Sequence, residues 1–242
     1  MTDVNDMLHG LLGVQELDTS VDQIRHRRVS LPERAELETA LGHQVELSSR
    51  LDAERVRLDA LTARQAELEN AVAEGAARIA TLEKRMYSGE VSAARDLQAM
   101  SEEVRHIRER DSGIEDTILE VMEEREPVEA TVADLEAQLA EVVGRAGQVE
   151  AALAEADEAL AAEEQTALAE RDRRAAALPA DLMDRYARLR QHLGGVGVAR
   201  LLDGSCGGCH LALSATELDR VRRAPSDAVL TCEQCGRILV RP

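Results

Sequence analysis

The 242-residue sequence contains no Trp and no Phe, and its only Tyr residues are Tyr87 and Tyr186. Large globular domains gain much of their buried area from aromatic side chains, so this scarcity argues against a single large globular core. Lysine is also nearly absent, because 28 of the 29 basic residues are Arg. Ala, Leu, Glu and Arg dominate instead, a composition typical of long helices and coiled coils.

The sequence also lacks any run that approaches the roughly 18 apolar residues of a membrane span. Its first residues have neither the basic region nor the apolar run of a signal peptide. We therefore expect a cytoplasmic protein with no membrane partner. The net charge of -18 is unevenly distributed: residues 1–179 hold 40 acidic and 20 basic side chains, whereas residues 180–242 hold 7 acidic and 9 basic ones. Because an acidic segment repels nucleic acid, any nucleic-acid contact would come from the C-terminal part.

Apolar residues recur at heptad spacing from Leu51 to Met86, and again from Leu97 to Leu160. The interruption falls at residues 87–92, where Ser and Gly favour a turn. Two long amphipathic helices joined by one short turn pair in antiparallel orientation. The pattern predicts a mainly α fold, in which residues 1–179 form a long antiparallel coiled-coil hairpin. At about 1.5 Å per residue, its first arm would run roughly 80 Å.

The register of this hairpin can be predicted by matching the a positions of one helix with the d positions of the other. One such register places Leu51 opposite Val128. It also places Glu54 opposite Arg125, and opposite charges that meet in the seam would help to fix the register. The alternative is that both long side chains reach solvent without touching.

Two helix breakers are expected at one level of the hairpin. Pro32 follows Ser30, and the Ser30-x-x-Glu33 spacing resembles a capping box that starts a new helix. In the predicted register Pro32 lies opposite Gly147. We therefore predict a bend near residues 32 and 147, which separates a short N-terminal helix from the long arm.

All four cysteines lie in two C-x-x-C pairs, Cys206 with Cys209 and Cys232 with Cys235, separated by 22 residues. Each pair directs two thiolates at one point, and four sulfurs complete a tetrahedral zinc shell with no open position. A domain this small and without aromatics needs help from a metal to fold. Residues 180–242 are therefore predicted to form a linker helix and a small β zinc ribbon that holds one structural Zn²⁺.

Three alternatives accompany the zinc assignment. Iron also occupies tetrahedral sites made only of sulfur. A redox role would need one C-x-x-C motif at a strand-to-helix turn, whereas this sequence has two such motifs at the spacing typical of a zinc ribbon. His210 adjoins Cys209 and could be taken for a ligand, but four cysteines already fill the shell. We therefore expect His210 to be an exposed polar residue.

A second candidate site is a group of arginines that could contact phosphates or a partner: Arg220, Arg222, Arg223 and Arg237. The alternative is that the helical members form a solvated helix end, where Arg favours the helix dipole. Binding Zn²⁺ with four thiolates cancels the small positive charge of residues 180–242, and the ribbon has no aromatic to stack on bases. Strong nucleic-acid binding is therefore not expected, while a weak local contact stays open.

With both parts described, the sequence resembles the bacterial family of coiled-coil proteins that end in a C4-type zinc ribbon. The resemblance rests on Leu31-Pro32-Glu33, the hairpin-tip motif Arg85-Met86-Tyr87-Ser88-Gly89-Glu90-Val91, and the two knuckles Cys206-Gly207-Gly208-Cys209 and Cys232-Glu233-Gln234-Cys235-Gly236-Arg237-Ile238-Leu239. Family members commonly have Pro where Glu233 stands and often an aromatic where Val240 stands. The resemblance implies the hairpin-and-ribbon fold and a structural zinc.

The resemblance also implies an adaptor role. Better-known members resemble regulators of motility or secretion that bind an alternative sigma factor and export-machinery components, and one is linked to messenger RNA. Together with the absence of a catalytic constellation, this leads us to expect a non-enzymatic, regulatory adaptor that binds another protein. The alternative is a nucleic-acid-binding regulator that acts on RNA or DNA through the ribbon.

Overall fold

A computed structural model of the chain describes residues 4–225 and 228–241. Five helices occupy most of these residues: α1 (Val4–Val29), α2 (Pro32–Tyr87), α3 (Ala94–Ala175), α4 (Ala180–His192) and α5 (Ala215–Arg223). Four short strands form one sheet: β1 (Val198–Leu202), β2 (Ser205–Cys206), β3 (Leu230–Thr231) and β4 (Ile238–Val240). The predicted mainly α fold, with a long helical hairpin and a small C-terminal β region, is confirmed. Among the described helices, none is long and apolar enough to cross a membrane.

The chain divides into two compact units. The hairpin unit spans Glu36–Val149, and the ribbon unit combines Met1–Ala35 with Glu150–Pro242. This division differs from the domain boundary expected after residue 179, because α1 packs on the ribbon sheet and shares its core.

The helices are interrupted at only one of the two predicted breaker positions. α1 ends at Val29 and α2 begins at Pro32, as the proline predicts, whereas α3 is helical through Gly147. The bend itself stays a prediction.

The capping box expected between Ser30 and Glu33 does not form. The Ser30 hydroxyl donates to the carbonyl of His26 at 2.8 Å, so it satisfies the last turn of α1 instead of capping α2. A capping box does form at the start of α5. There Glu217 N donates to Ser214 Oγ at 3.2 Å, and Ser214 N donates to Glu217 Oε2 at 2.8 Å.

The seam of the hairpin unit has the predicted heptad character but not the predicted register. Leu51 packs with Val132 and Leu135 instead of Val128, so the two helices are displaced by one heptad from the predicted pairing. The displacement keeps every a position opposite a d position. The predicted register is therefore wrong, because a uniform repeat cannot distinguish two alignments that differ by a full heptad.

The displacement brings together the two least typical residues of the seam. Asp111 is buried at an a position, and it lies against Gly75, where an added methyl group would overlap its carboxylate. Arg110 donates to the same carboxylate at 2.8 Å. Because Gly75 has no side chain, it leaves room for the buried carboxylate, and this pairing occurs in the observed register and not in its neighbours.

The predicted pairing of Glu54 with Arg125 does not occur. Arg125 donates to Gln65 at 2.6 Å and pairs with Glu129 on its own helix at 2.9 Å. Glu54 approaches Arg57 at 3.9 Å. Other ion pairs do bridge the two helices, such as Arg55 with Glu136 and Arg78 with Glu103, at 2.6 and 2.8 Å.

The ribbon unit is built on a mixed sheet with strand order β2-β1-β4-β3. β1 pairs in parallel with β4, and the two outer pairings are antiparallel. One side of the sheet contacts α1 and α4 through a core that includes Leu11, Tyr186, Val198 and Ile238. The other side packs around the cysteines and α5. The strands are too short to bury a core alone, and these two layers supply it.

Candidate metal centre

Each cysteine pair sits on a tight turn of the same design. In the first knuckle, His210 N donates to the carbonyl of Cys206 at 2.8 Å; in the second, Gly236 N donates to the carbonyl of Cys232 at 2.8 Å. The residue after the second cysteine has a left-handed backbone in both, with φ of 59° at His210 and 76° at Gly236. Glycine adopts this conformation without strain, whereas His210 adopts one that side chains disfavour.

The four sulfurs converge on one point. The Sγ atoms of Cys206 and Cys235 are 3.9 Å apart, as are those of Cys209 and Cys232, and all four lie within 4.8 Å of one another. A tetrahedral zinc ion with Zn–S bonds of about 2.3 Å requires sulfurs about 3.8 Å apart. The donor set and its spacing therefore fit one structural Zn²⁺, as predicted.

The environment of the thiols ties their ionisation to metal binding. Cys206 and Cys232 are buried, and burial raises the pKa of both thiols, that of Cys232 to about 12. Burial also opposes ionisation of Cys235, but hydrogen bonds from the amide and side chain of Arg237 and from neighbouring thiols lower its pKa to about 7. Zinc would supply the positive charge that four thiolates at this spacing need, because coordinating thiols lose their protons outright.

Arg237 secures the second knuckle to the chain that enters the ribbon. Its guanidinium donates to the carbonyl of Val196 at 2.9 Å and to that of Leu193 at 2.8 Å. Its side chain passes so close to Gly208 that an added methyl group would overlap it. Gly208 is therefore required for this approach, and Arg237 orients the Cys235 side of the site.

The thiol geometry bears on the alternatives to a structural metal. All four sulfurs lie within 4.8 Å of one another and close contacts join cysteines of different knuckles, whereas a redox C-x-x-C needs only the two cysteines of one motif. His210 is exposed and lies outside the group of four side chains that could share an ion. Both observations favour one closed four-sulfur shell.

The arrangement of a helical hairpin and a four-cysteine ribbon has counterparts among known proteins. Residues 14–194 match the model of the CT398-like coiled coil hairpin domain, and residues 205–239 match that of the C4-type zinc ribbon domain. The chain belongs to the CT398-like coiled-coil hairpin family. Its C-terminal domain is a C4-type zinc ribbon with a site for one structural zinc.

Bacterial proteins resemble the chain over nearly its whole length. Rv2229c, an uncharacterized protein of Mycobacterium tuberculosis H37Rv, is 28% identical over 234 residues, which cover 96% of this chain and 94% of the relative. A solved structure from Mycobacterium smegmatis is 26% identical, with a TM-score of 0.86 and complete coverage of both chains. CT398 from Chlamydia trachomatis is 22% identical with a TM-score of 0.67 over 99% of both chains, a likeness that shows the fold alone.

The four arginines proposed as a contact site have different environments. Arg220 pairs with Glu233, and Arg223 pairs with Asp219 at 2.9 Å. Arg237 is engaged by backbone carbonyls, as described above. Arg222 is exposed, and no ion pair involves it in the part of the chain that the structure describes. Their role in binding phosphates or a partner stays a prediction.

A polar contact between α1 and the ribbon was not predicted from the sequence. The Gln15 side chain accepts a hydrogen bond from Gly197 N at 2.8 Å and donates to the carbonyl of Gly195 at 2.9 Å. It thereby pairs with the backbone of the segment that leads into β1, much as a neighbouring strand would.

A buried carboxylate reinforces the same junction. The hydroxyl of the fully buried Tyr186 donates to Asp18 at 2.6 Å, and Arg171 Nε donates to the other carboxylate oxygen at 3.1 Å. Burial and this hydrogen bond raise the pKa of Tyr186, which stays a protonated donor. The sequence could have indicated this junction, because Gln15 and Asp18 fall at helical spacing among the apolar residues of α1. Polar residues at buried positions need hydrogen-bond partners.

Proposed function

We propose that this protein is a non-enzymatic adaptor that acts by binding other proteins. The observation that carries the proposal is the closed metal shell, in which four converging thiols leave no position where water or a substrate could reach the ion. Zinc then stabilises a scaffold, and recognition falls to the exposed surfaces of the two units.

The distribution of charge supports a protein partner over a nucleic acid. The first 179 residues carry twice as many acidic as basic side chains, and this field opposes a polyanion. In the ribbon, Arg220 and Arg223 already have acidic partners, and Arg237 is held by carbonyls. Of these four arginines, only Arg222 has neither an acidic partner nor a carbonyl partner among the described residues, and one cation is too little for strong phosphate binding.

Pull-down of the zinc-loaded full-length protein from cell lysate, with and without nuclease, tests the proposal. We expect the captured proteins to be the same under both conditions. Labelled RNA and DNA should bind in the micromolar range or more weakly, and this binding should vanish with modest salt. A variant with Arg220, Arg222 and Arg223 changed to Ala serves as the matched control. Nanomolar binding that survives the higher salt and is lost in this variant would establish the nucleic-acid regulator instead.

A further inference from the structure

The solvent-facing part of α3 from Glu115 to Glu126, called the acidic face here, carries uncompensated negative charge. Its one cation, Arg125, is engaged by Gln65 and Glu129. Six of its carboxylates have no ion-pair partner among residues 4–225 and 228–241: Glu115, Asp116, Glu120, Glu123, Glu124 and Glu126. Some other carboxylates of the hairpin unit do meet arginines across the two helices, as Glu83 meets Arg108 at 2.6 Å.

Two apolar side chains stand exposed among these carboxylates. Leu119 is 58% exposed and Met122 is 43% exposed. Residues three apart are neighbours on a helix surface, so the two side chains form one apolar contact point. Glu115 and Glu126 lie one turn before and after this pair. A small apolar centre within a charged rim is the composition of a protein-binding surface.

The negative charges of the acidic face also lie close to one another. Like charges three and four residues apart, such as Asp116, Glu120 and Glu123, repel each other on a helix surface. Pro127 adds a further acceptor, because it has no amide hydrogen to donate to the carbonyl of Glu123. A cationic partner would relieve both the repulsion and the unmatched acceptor.

The observations also restrict the class of partner. In the described residues, the four cysteines are the only group of metal-binding side chains that could share an ion, so the acidic face is not arranged for a divalent cation. Nucleic acid would be repelled. A facing helix, in contrast, presents apolar residues at the same one-turn spacing as Leu119 and Met122 and can flank them with Arg or Lys.

We propose that the acidic face binds a basic amphipathic helix of a partner protein, whose apolar stripe covers Leu119 and Met122 while its cations pair with the surrounding carboxylates. The proposal rests on the adaptor function and assigns it a surface and a partner chemistry. A second exposed apolar pair, Leu41 and Val45, lies on α2 with mostly uncharged neighbours one turn away, and it serves as the matched control.

The test measures binding of a labelled 18-residue peptide with a leucine stripe flanked by Arg and Lys, alongside a scrambled peptide of the same composition. We expect Leu119→Ser with Met122→Ser to weaken binding roughly tenfold, because the apolar contact is lost. Leu41→Ser with Val45→Ser should change it less than about twofold. Glu120→Gln with Glu123→Gln should weaken binding and reduce its salt dependence. A photo-cross-linker in the leucine stripe should label residues 115–126.

Three results would overturn the proposal: equal binding of the scrambled peptide, equal effects of the two apolar double variants, or cross-links outside the acidic face. All the substituted side chains are exposed, and a thermal melt confirms that each variant is folded. If nuclease-resistant capture of lysate proteins persists while the peptide shows no preference for the acidic face, this surface is wrong and the adaptor function stands. If that capture also fails, the adaptor function is wrong as well.

Discussion

The hairpin unit and the ribbon unit bury their apolar side chains in different ways. In the hairpin unit, the same kind of contact between two helices repeats along the seam, and apart from Asp111 the buried residues that the structure describes are aliphatic or small, such as Leu51, Gly75 and Val121. In the ribbon unit, one core joins Leu11 near the start of the chain with Ile238 near its end. The first unit gains stability from repetition, whereas the second depends on contacts between segments that are distant in sequence.

This difference determines what a single residue can do in each unit. Repetition spreads the stability of the hairpin over many equivalent levels, so only an exceptional level, Asp111 against Gly75, carries information about alignment. The ribbon unit has few elements, and it concentrates stability in the metal shell and in the polar junction at Asp18 and Tyr186. We therefore expect the largest effects in the ribbon unit.

Loss of one metal ligand should break the ribbon and spare the hairpin. Cys232→Ser leaves three sulfurs, and metal binding contributes on the order of 10 kcal/mol to folding of such domains. We expect loss of zinc by elemental analysis, with most of the helical circular dichroism retained. His210→Ala is the control and should keep stoichiometric zinc. A Cys232→Ser protein that retains zinc and a folded ribbon would contradict the four-ligand assignment.

Removal of the buried carboxylate should be the next largest effect. Asp18→Ala leaves the buried hydroxyl of Tyr186 without its acceptor and removes one of the two carboxylates that Arg171 contacts, the other being that of Asp172. Loss of one member of a buried charged pair costs about 3–5 kcal/mol, which chemical unfolding would measure. Asp22→Ala, on the exposed side of α1, should cost much less. Equal losses from the two substitutions would show that burial of Asp18 does not matter.

The glycine in the seam should be the most sensitive position of the hairpin unit. Gly75→Ala forces a methyl group against Asp111, and overpacking of this kind costs about 1–3 kcal/mol. Gly113→Ala, at an open and exposed helical position, should instead stabilise the helix by roughly 0.5–1 kcal/mol. Thermal unfolding of both variants measures the contrast, and combining Gly75→Ala with Asp111→Ala should recover much of the loss. Equal changes in thermal stability from Gly75→Ala and Gly113→Ala would refute the role assigned to Gly75.

The smallest effect concerns acid sensitivity at the ion pairs of α1 and α3. Arg28 contacts Asp157 at 2.9 Å and Glu164 at 3.0 Å. Hydrogen bonds from Arg28 lower the pKa of Asp157, and hydrogen bonds from Arg25 and Arg28 lower that of Glu164. Because these pKa values are lowered by folding, the stabilisation is complete above the unfolded-state pKa of about 4 and is lost as pH falls through the folded values.

Arg28→Gln should therefore destabilise the protein at pH 7 and make little difference in strong acid. Free energies of unfolding between pH 7 and pH 2 would show the two curves converging as the carboxylates become protonated. Arg50→Gln, at an exposed position of α2, is the control and should follow the unsubstituted protein throughout. A difference at pH 7 that persists unchanged in strong acid would mean that packing of Arg28, and not its charge, is responsible.

The elements most accurately predicted are those that local pattern specifies. The heptads between Leu51 and Leu160 predicted both arms, and the tip expected at residues 87–92 lies between the observed helix ends at Tyr87 and Ala94. The cysteine spacing predicted the zinc site because two knuckles have few ways to place four sulfurs. The capping box predicted at Ser30, in contrast, was wrong, because this hydroxyl can donate to a carbonyl of the helix before it as well as accept from an amide of the helix after it.

Composition, periodicity and cysteine spacing by themselves determined that this chain forms long helices, reverses once near residue 90 and ends in a four-cysteine zinc ribbon, since each of these follows from interactions between near neighbours in sequence. Only the tertiary structure decided the heptad register, the docking of α1 on the sheet and the partners of Arg220 and Arg237. The heptad repeat is satisfied equally well by alignments seven residues apart, and the observed alignment is the one in which Gly75 meets Asp111. The contacts of Gln15 and Asp18 with the ribbon join residues more than 150 positions apart, and no local pattern reports on such pairs.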